Sequence, residues 1–216
     1  MCKKSFSLIE LLVVVAIIGV LASLILPSLG AARKRAQSAV CQNNIKQIGL
    51  AISMYALDND NYAPADNKST ATGLQWHRTL SQSNYINYDH EDDGTAFVCP
   101  NGEKLDNNWE SNYGLNFRLG RGNASGGSDS SSTNYQYLSK LNSNHAQETM
   151  VLMDGFNKFR FVQSIDMNTT RLLQNSPSIA RHQEKANLLF VDGHIESQSY
   201  STLLTETSYL EDFWTP

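Results

Sequence analysis

With 216 residues, 41% of them hydrophobic, and a formal net charge of -4, the chain has room for one membrane segment and one modest globular domain. The mild acidity argues against nucleic acid as a partner, because phosphate binding wants a clustered basic surface. Much of the apolar content sits near the N-terminus, and the rest is rich in Asn, Ser, Tyr and Gly, a composition that fits an extracytoplasmic domain of turns and short strands.

Met1 to Ser5 form a short cationic leader, followed from Phe6 to Leu26 by FSLIELLVVVAIIGVLASLIL. That is about the length needed to cross the hydrocarbon core of a bilayer. Its only ionisable side chain is Glu10, and Pro27 follows. Helical spacing continues beyond the proline: Leu29, Ala32, Ala36 and Val40, then Ile45, Ile48, Ile52 and Tyr55, recur at intervals of three and four, with Leu50, Met54 and Leu57 widening the apolar face. The pattern predicts one helix from about residue 6 to residue 57, kinked near Pro27, about 75–80 Å long. Its first half would sit in lipid and its second half would lay an apolar face on a domain. Asp58 to Asn61, then Pro64, end it.

Downstream signals are short. Phe97-Val98-Cys99 reads as a strand stopped by Pro100, Met150 to Met153 as another ended by Asp154-Gly155, and Phe159 to Val162 as a third. Ala186 to Val191 is the clearest. Asp192-Gly193 then supplies a hairpin turn, and His194 to Tyr200 returns as the partner strand. Residues 120–134 (GRGNASGGSDSSSTN) read as a low-complexity loop.

The N-terminal segment admits three readings. A secretory signal peptide has this charged start and apolar core, but the run is too long for one and Glu10 interrupts it. A plain anchor has no use for a carboxylate that costs roughly 2.5–3.5 kcal/mol in lipid. The third reading explains the glutamate. Lys3-Lys4-Ser5-Phe6-Ser7-Leu8-Ile9-Glu10 resembles the processing site of type IV prepilins and type II secretion pseudopilins. That resemblance implies cleavage by a prepilin peptidase between Ser5 and Phe6 and methylation of the new Phe6 amine. Ser5, a small residue, stands where the family usually has Gly. The resemblance also places Glu10 at the family's acidic position and Pro27 at its usual proline. It puts the leader in the cytoplasm, where the Arg33-Lys34-Arg35 cluster would leave a charge tally undecided. In a filament, Glu10 of one subunit would pair with the Phe6 amine of a neighbour and fix axial register.

Cys41 to Ala51, Phe97 to Pro100, Ser111 to Asn116, and His182 followed after nine residues by Asp192-Gly193 resemble pseudopilin-like proteins with an H-X9-DG C-terminal element. The implied fold is α+β and pilin-like: a long N-terminal helix, transmembrane in its first half, packed on a small, mostly antiparallel sheet. The expected organisation is a leader (1–5), a transmembrane helix with the methylation motif (6–30), and an extracytoplasmic domain (31–216) comprising helix 31–57 and sheet and loops 58–216.

Three further residue sets carry candidate chemistry. His182, Asp192 and His194 offer ligand types suited to zinc, but a turn aspartate and a strand-capping histidine explain them more simply. Asp89, Glu91 and Asp93 alternate like the start of a calcium loop, yet the twelfth position from Asp89 is Pro100, so this is no EF-hand, and a solvated loop is the plainer reading. Cys41, on the helix, and Cys99, at a strand end, either staple helix to sheet as a disulfide or remain two small buried thiols. Trp76, Trp109 and Trp214 are scattered and suit packing better than a glycan-stacking face. There is no HExxH, nucleophile elbow or P-loop.

The expected function is therefore structural: a pilus or secretion-pseudopilus subunit of the inner membrane, without cofactor, whose partners are the prepilin peptidase, other subunits and the membrane. It is the substrate of an enzyme and not an enzyme. The alternative is a membrane-tethered binding module, for glycan or calcium, displayed by the same route.

Overall fold

A computed structural model describes residues 7–61, 63–64, 75–89, 91–92, 94–105, 111–116, 146–155, 161–162 and 181–205. The expectations resting on Ser5, Phe6, Asp93, Trp109, Trp214, Phe159 and the 120–134 loop lie outside these residues. Helix α1 spans Leu8–Asp58, and the chain divides within it into two units, Met1–Ala36 and Gln37–Pro216.

In the first unit, α1 over residues 11–26 is apolar on every side. Leu8, Leu12, Val15, Leu21 and Leu26 are all more than half exposed, which is the surface of a helix made for lipid. Pro27 lies inside α1 and removes the N–H that would have bonded the Ser23 carbonyl. The helix satisfies its own hydroxyls: Ser23 Oγ donates to the Val20 carbonyl (2.7 Å) and Ser28 Oγ to the Ile25 carbonyl (2.8 Å). In hydrocarbon a free hydroxyl would have no other acceptor.

In the second unit α1 buries Cys41, Ile45, Ile48, Ile52 and Ala56 as one stripe. Leu50, Met54 and Leu57 do not widen that face as the sequence pattern suggests; they are 54–76% exposed, and Val40 is exposed too. At about 100° per residue these three fall roughly 180–240° round the helix from Ile48, on its opposite side. Asp60 and Asn61 adopt positive φ (53° and 63°), and Asn61 N–H donates to the Ala56 carbonyl (2.7 Å), closing the helix with a left-handed cap. Tyr85 Oη donates to Asp58 (2.7 Å), and this bond holds the phenol's pKa above its ordinary value.

Among the described residues five strands follow: β1 (Tyr113–Asn116), β2 (Met150–Asp154), β3 (Phe161–Val162), β4 (Lys185–Phe190) and β5 (Ile195–Ser199), in spatial order β3-β1-β2-β4-β5. In this order the β1–β3 pair is parallel and the other pairs are antiparallel. The small, mostly antiparallel sheet behind a long helix is the α+β architecture expected. β2 is buried along its whole length, and β4 everywhere but Lys185, which is why both read as apolar runs rather than alternating strands. The β4–β5 hairpin turns through Val191 to His194, with Gly193 at φ +87°.

Two further expectations are corrected. Phe97 to Cys99 is not a strand: Val98 N–H turns back to the Thr95 carbonyl (3.2 Å), and the Val98 carbonyl is taken by Asn44 Nδ2 (2.9 Å). Pro100 can donate nothing to extend a ladder. The return strand of the hairpin stops at Ser199, not Tyr200, because Ser199 Oγ accepts the Thr202 N–H (3.2 Å) and caps helix α3 (Tyr200–Thr205). Helix α2 (Trp76–Gln82) buries Trp76, His77 and Leu80. Its Trp76 and His77 pack with Phe97 and Tyr88 at ring-centroid separations of 4.5–6.0 Å, an aromatic wedge beside the α1 stripe.

Candidate functional site

Two sites carry polar chemistry, one in each unit. At the start of α1, Ser7-Leu8-Ile9-Glu10 forms a capping box. Ser7 Oγ accepts the Ile9 N–H (3.4 Å), and the Glu10 carboxylate reaches back to accept the Ser7 N–H (2.9 Å). Glu10 thus satisfies a helix N-terminal donor that lipid could not. Sequence reading singled out Glu10 by its cost and missed this second duty, although the Ser-x-x-Glu spacing was visible.

The second site lies in the core of the globular unit, where α1 meets the sheet. Cys41 and Cys99 are joined as a disulfide with Cα atoms 5.4 Å apart. Asn44, one turn on, donates to the Val98 carbonyl and to Tyr113 Oη (3.3 Å), fixing the Cys99 segment to the helix. Asn112, just before β1, clamps the same segment: its Oδ1 accepts the Cys99 N–H (2.9 Å). His182 is buried against this disulfide. Its Nε2 lies 3.5 Å from Cys99 Sγ and 3.5 Å from Asp154 Oδ2, and its Nδ1 lies 3.4 Å from the Asn101 side-chain amide.

Asp154, at the end of β2, is fully buried. Its Oδ2 accepts the Asn187 N–H of β4 (2.7 Å), while Oδ1 has no hydrogen-bond partner and faces Arg181 Nε at 3.9 Å. Arg181 donates to the carbonyls of Asn112 (2.9 Å) and Gly155. Tyr113 is pressed into the same interior; burial first, and the Asp154 charge second, push its phenol well above the ordinary range.

His182 and Asp192-Gly193 do not share a site. His182 belongs to the buried cluster, whereas Asp192 sits at the exposed hairpin tip and accepts from His194 N–H (3.0 Å) and the His194 ring. Burial alone would raise the Asp192 pKa, but these two bonds outweigh it and hold it below the ordinary value. The aspartate–glycine pair makes the turn, and the His194 ring stacks on Phe190 at 4.3 Å. In the acidic loop, Asp89 Oδ1 accepts the Glu91 N–H (2.9 Å) and Asp92 Oδ1 the Gly94 N–H (2.8 Å). Among the described residues, the one group of His, Cys, Asp or Glu ligand atoms close enough to hold a metal is Cys41, Cys99 and His182, all within 4.8 Å of one another.

The disulfide closes a 58-residue separation and ties α1 to the loop before β1. Replacing both Cys41 and Cys99 by Ser is expected to cost about 2–4 kcal/mol, read as a lower midpoint in denaturant unfolding of the full chain in detergent. An unchanged midpoint would show that the core alone fixes this contact.

Residues 1–26 match the family model described as the prokaryotic N-terminal methylation motif. The chain is 40% identical over 72 residues, 33% of its length and 55% of the relative's, to the type IV wide pilus major component PilA4 of Thermus thermophilus. It is 40% identical over 73 residues, covering 34% of this chain and 48% of the relative, to the type II secretion system core protein G of Pseudomonas aeruginosa. With core protein G of Escherichia coli K12 it shares 40% identity over 60 residues, 28% of this chain and 41% of the relative. The chain spans about half the length of the curated relatives it matches. No solved structure matches.

Proposed function

We propose that the chain is a structural subunit of a type IV pilus or type II secretion pseudopilus. It is made as a precursor, cut between Ser5 and Phe6 by a prepilin peptidase, N-methylated on Phe6, and held as a single-pass protein in the inner membrane with its globular unit outside the cytoplasm. The observation that carries this reading is the methylation motif over residues 1–26, whose helical part (8–26) is apolar but for one carboxylate, Glu10. The pilus and secretion-system relatives support assembly with other subunits, and in that role the protein is a building block and not a catalyst. A tethered module for glycan or calcium is not favoured, because the pilus and secretion-system relatives point to assembly instead.

The experiment is mass spectrometry of the chain recovered from host membranes and from sheared filaments. The expected N-terminus is N-methylated Phe6 in both fractions. A chain that still begins at Met1, in a host whose other prepilins are processed, would overturn the proposal and identify Ser5 as the block.

A further inference from the structure

The buried cluster contains more polar chemistry than a disulfide needs. A staple between helix and loop asks only for two cysteines, yet Cys41–Cys99 lies against the imidazole nitrogen of His182, which also faces the fully buried carboxylate of Asp154. These groups come from four separate places: α1, the loop before β1, the end of β2 and the turn before β4. Three of them, the two sulfurs and the imidazole, lie within 4.8 Å of one another, close enough to share one metal ion.

The spacing fits as well. With zinc–sulfur bonds near 2.3 Å and zinc–nitrogen bonds near 2.0–2.1 Å, the sulfur–nitrogen edge of a tetrahedron is about 3.6 Å. The separation of His182 Nε2 from Cys99 Sγ is 3.5 Å. Once the disulfide is open, a side-chain rotation parts the sulfurs to the sulfur–sulfur edge of about 3.8 Å. On the far side of the ring, Nδ1 lies 3.4 Å from the Asn101 amide nitrogen, and a half-turn of that amide would present its oxygen to an Nδ1–H, the outer contact a metal-bound histidine makes. Charge balances too. A divalent ion with two thiolates is neutral, so Asp154 keeps Arg181 as its counter-ion in either state.

We propose that the dithiol form of this chain, the form in which it is synthesised, binds one zinc-class divalent ion through Cys41 Sγ, Cys99 Sγ and His182 Nε2, with water in the fourth position, and that closure of the disulfide expels the ion. On binding, each thiol gives its proton to solvent. On closure, the two thiolates pass two electrons to an external disulfide. That acceptor leaves as two thiols after taking up two protons, the Cys41–Cys99 bond forms, and the ion returns to solution. The ion thereby holds helix, loop and sheet in register until the covalent staple replaces it. This inference is independent of the filament reading.

The test uses the full chain in detergent, with and without a phosphine reductant, loaded with zinc or cobalt(II), passed through gel filtration and assayed for bound metal. The reduced chain is expected to keep one ion per molecule and the oxidised chain none. The cobalt form should show a thiolate-to-metal charge-transfer band and the intense visible bands of a tetrahedral site. His182→Gln should weaken binding about tenfold or more, and the Cys41→Ser, Cys99→Ser double variant should abolish it. A reduced wild-type chain that retains no zinc overturns the proposal, as does retention undiminished in either variant. If His182→Gln loses its circular-dichroism signature, the wild-type cobalt spectrum decides: without the charge-transfer band the cysteines are not ligands and the proposal fails.

Discussion

Glu10→Gln is expected to reduce filament incorporation at least tenfold, and Glu10→Ala to do the same. The two substitutions separate the two duties of this residue. A glutamine oxygen can still accept the Ser7 N–H, so the capping box that begins α1 survives the first change and not the second. Neither can pair with the amine of a neighbouring subunit's Phe6. In apolar surroundings that unpaired amine costs roughly 2.5–3.5 kcal/mol, and each 1.4 kcal/mol is about tenfold in an equilibrium. The measurement is the ratio of subunit in sheared filaments to subunit in membranes, against the parent chain. Normal incorporation of Glu10→Gln beside failure of Glu10→Ala would show that Glu10 acts by capping its own helix, and the ion-pair account would be withdrawn.

What the sequence disclosed, and what it did not, follows from how local each signal was. The long helix was legible because its apolar character and its Asp58 to Asn61 stop are written in contiguous residues. The β4–β5 hairpin was legible for the same reason, through an apolar run followed by Asp192-Gly193. Strand β1 was not: Tyr113-Gly114-Leu115-Asn116 has no alternation to see, since all four residues are buried. Its pairing with β2, across an interval that leaves no periodic trace, decides it. Phe97 to Cys99 misled because apolar, strand-like residues there fill a core from a turn. The partners of that turn, Asn44 and Asn112, are distant in sequence. The buried cluster was half visible. The cysteines and His182 stood out by type, but Asp154 read as a turn former after β2, and nothing near Arg181 in the sequence hints at its role. His182 was grouped with Asp192 by spacing, whereas the fold sends one to the core and the other to the surface.

Asp154 therefore carries the second large expectation. Asp154→Ala should destabilise the globular unit by about 3–5 kcal/mol, the usual cost of breaking a buried ion pair by removing one partner. Arg181 would be left buried without its counter-ion, and the Asn187 N–H would lose its acceptor. Asn187 in turn positions its own amide oxygen for Gln42 of α1 (3.1 Å) and Ser197 of β5 (2.6 Å), so the loss would reach the seam between helix and hairpin. Pairing Asp154→Ala with Arg181→Met removes the orphaned charge. Since replacing a whole buried pair by apolar groups is often neutral or stabilising, the double variant should recover a large part of the single-variant loss. Denaturant unfolding of the four chains of this cycle in detergent gives the coupling directly. Additive losses would mean that Asp154 acts only through the Asn187 N–H. A strong coupling would show that the Arg181–Asp154 pair, beside which His182 lies, itself stabilises the junction of helix and sheet.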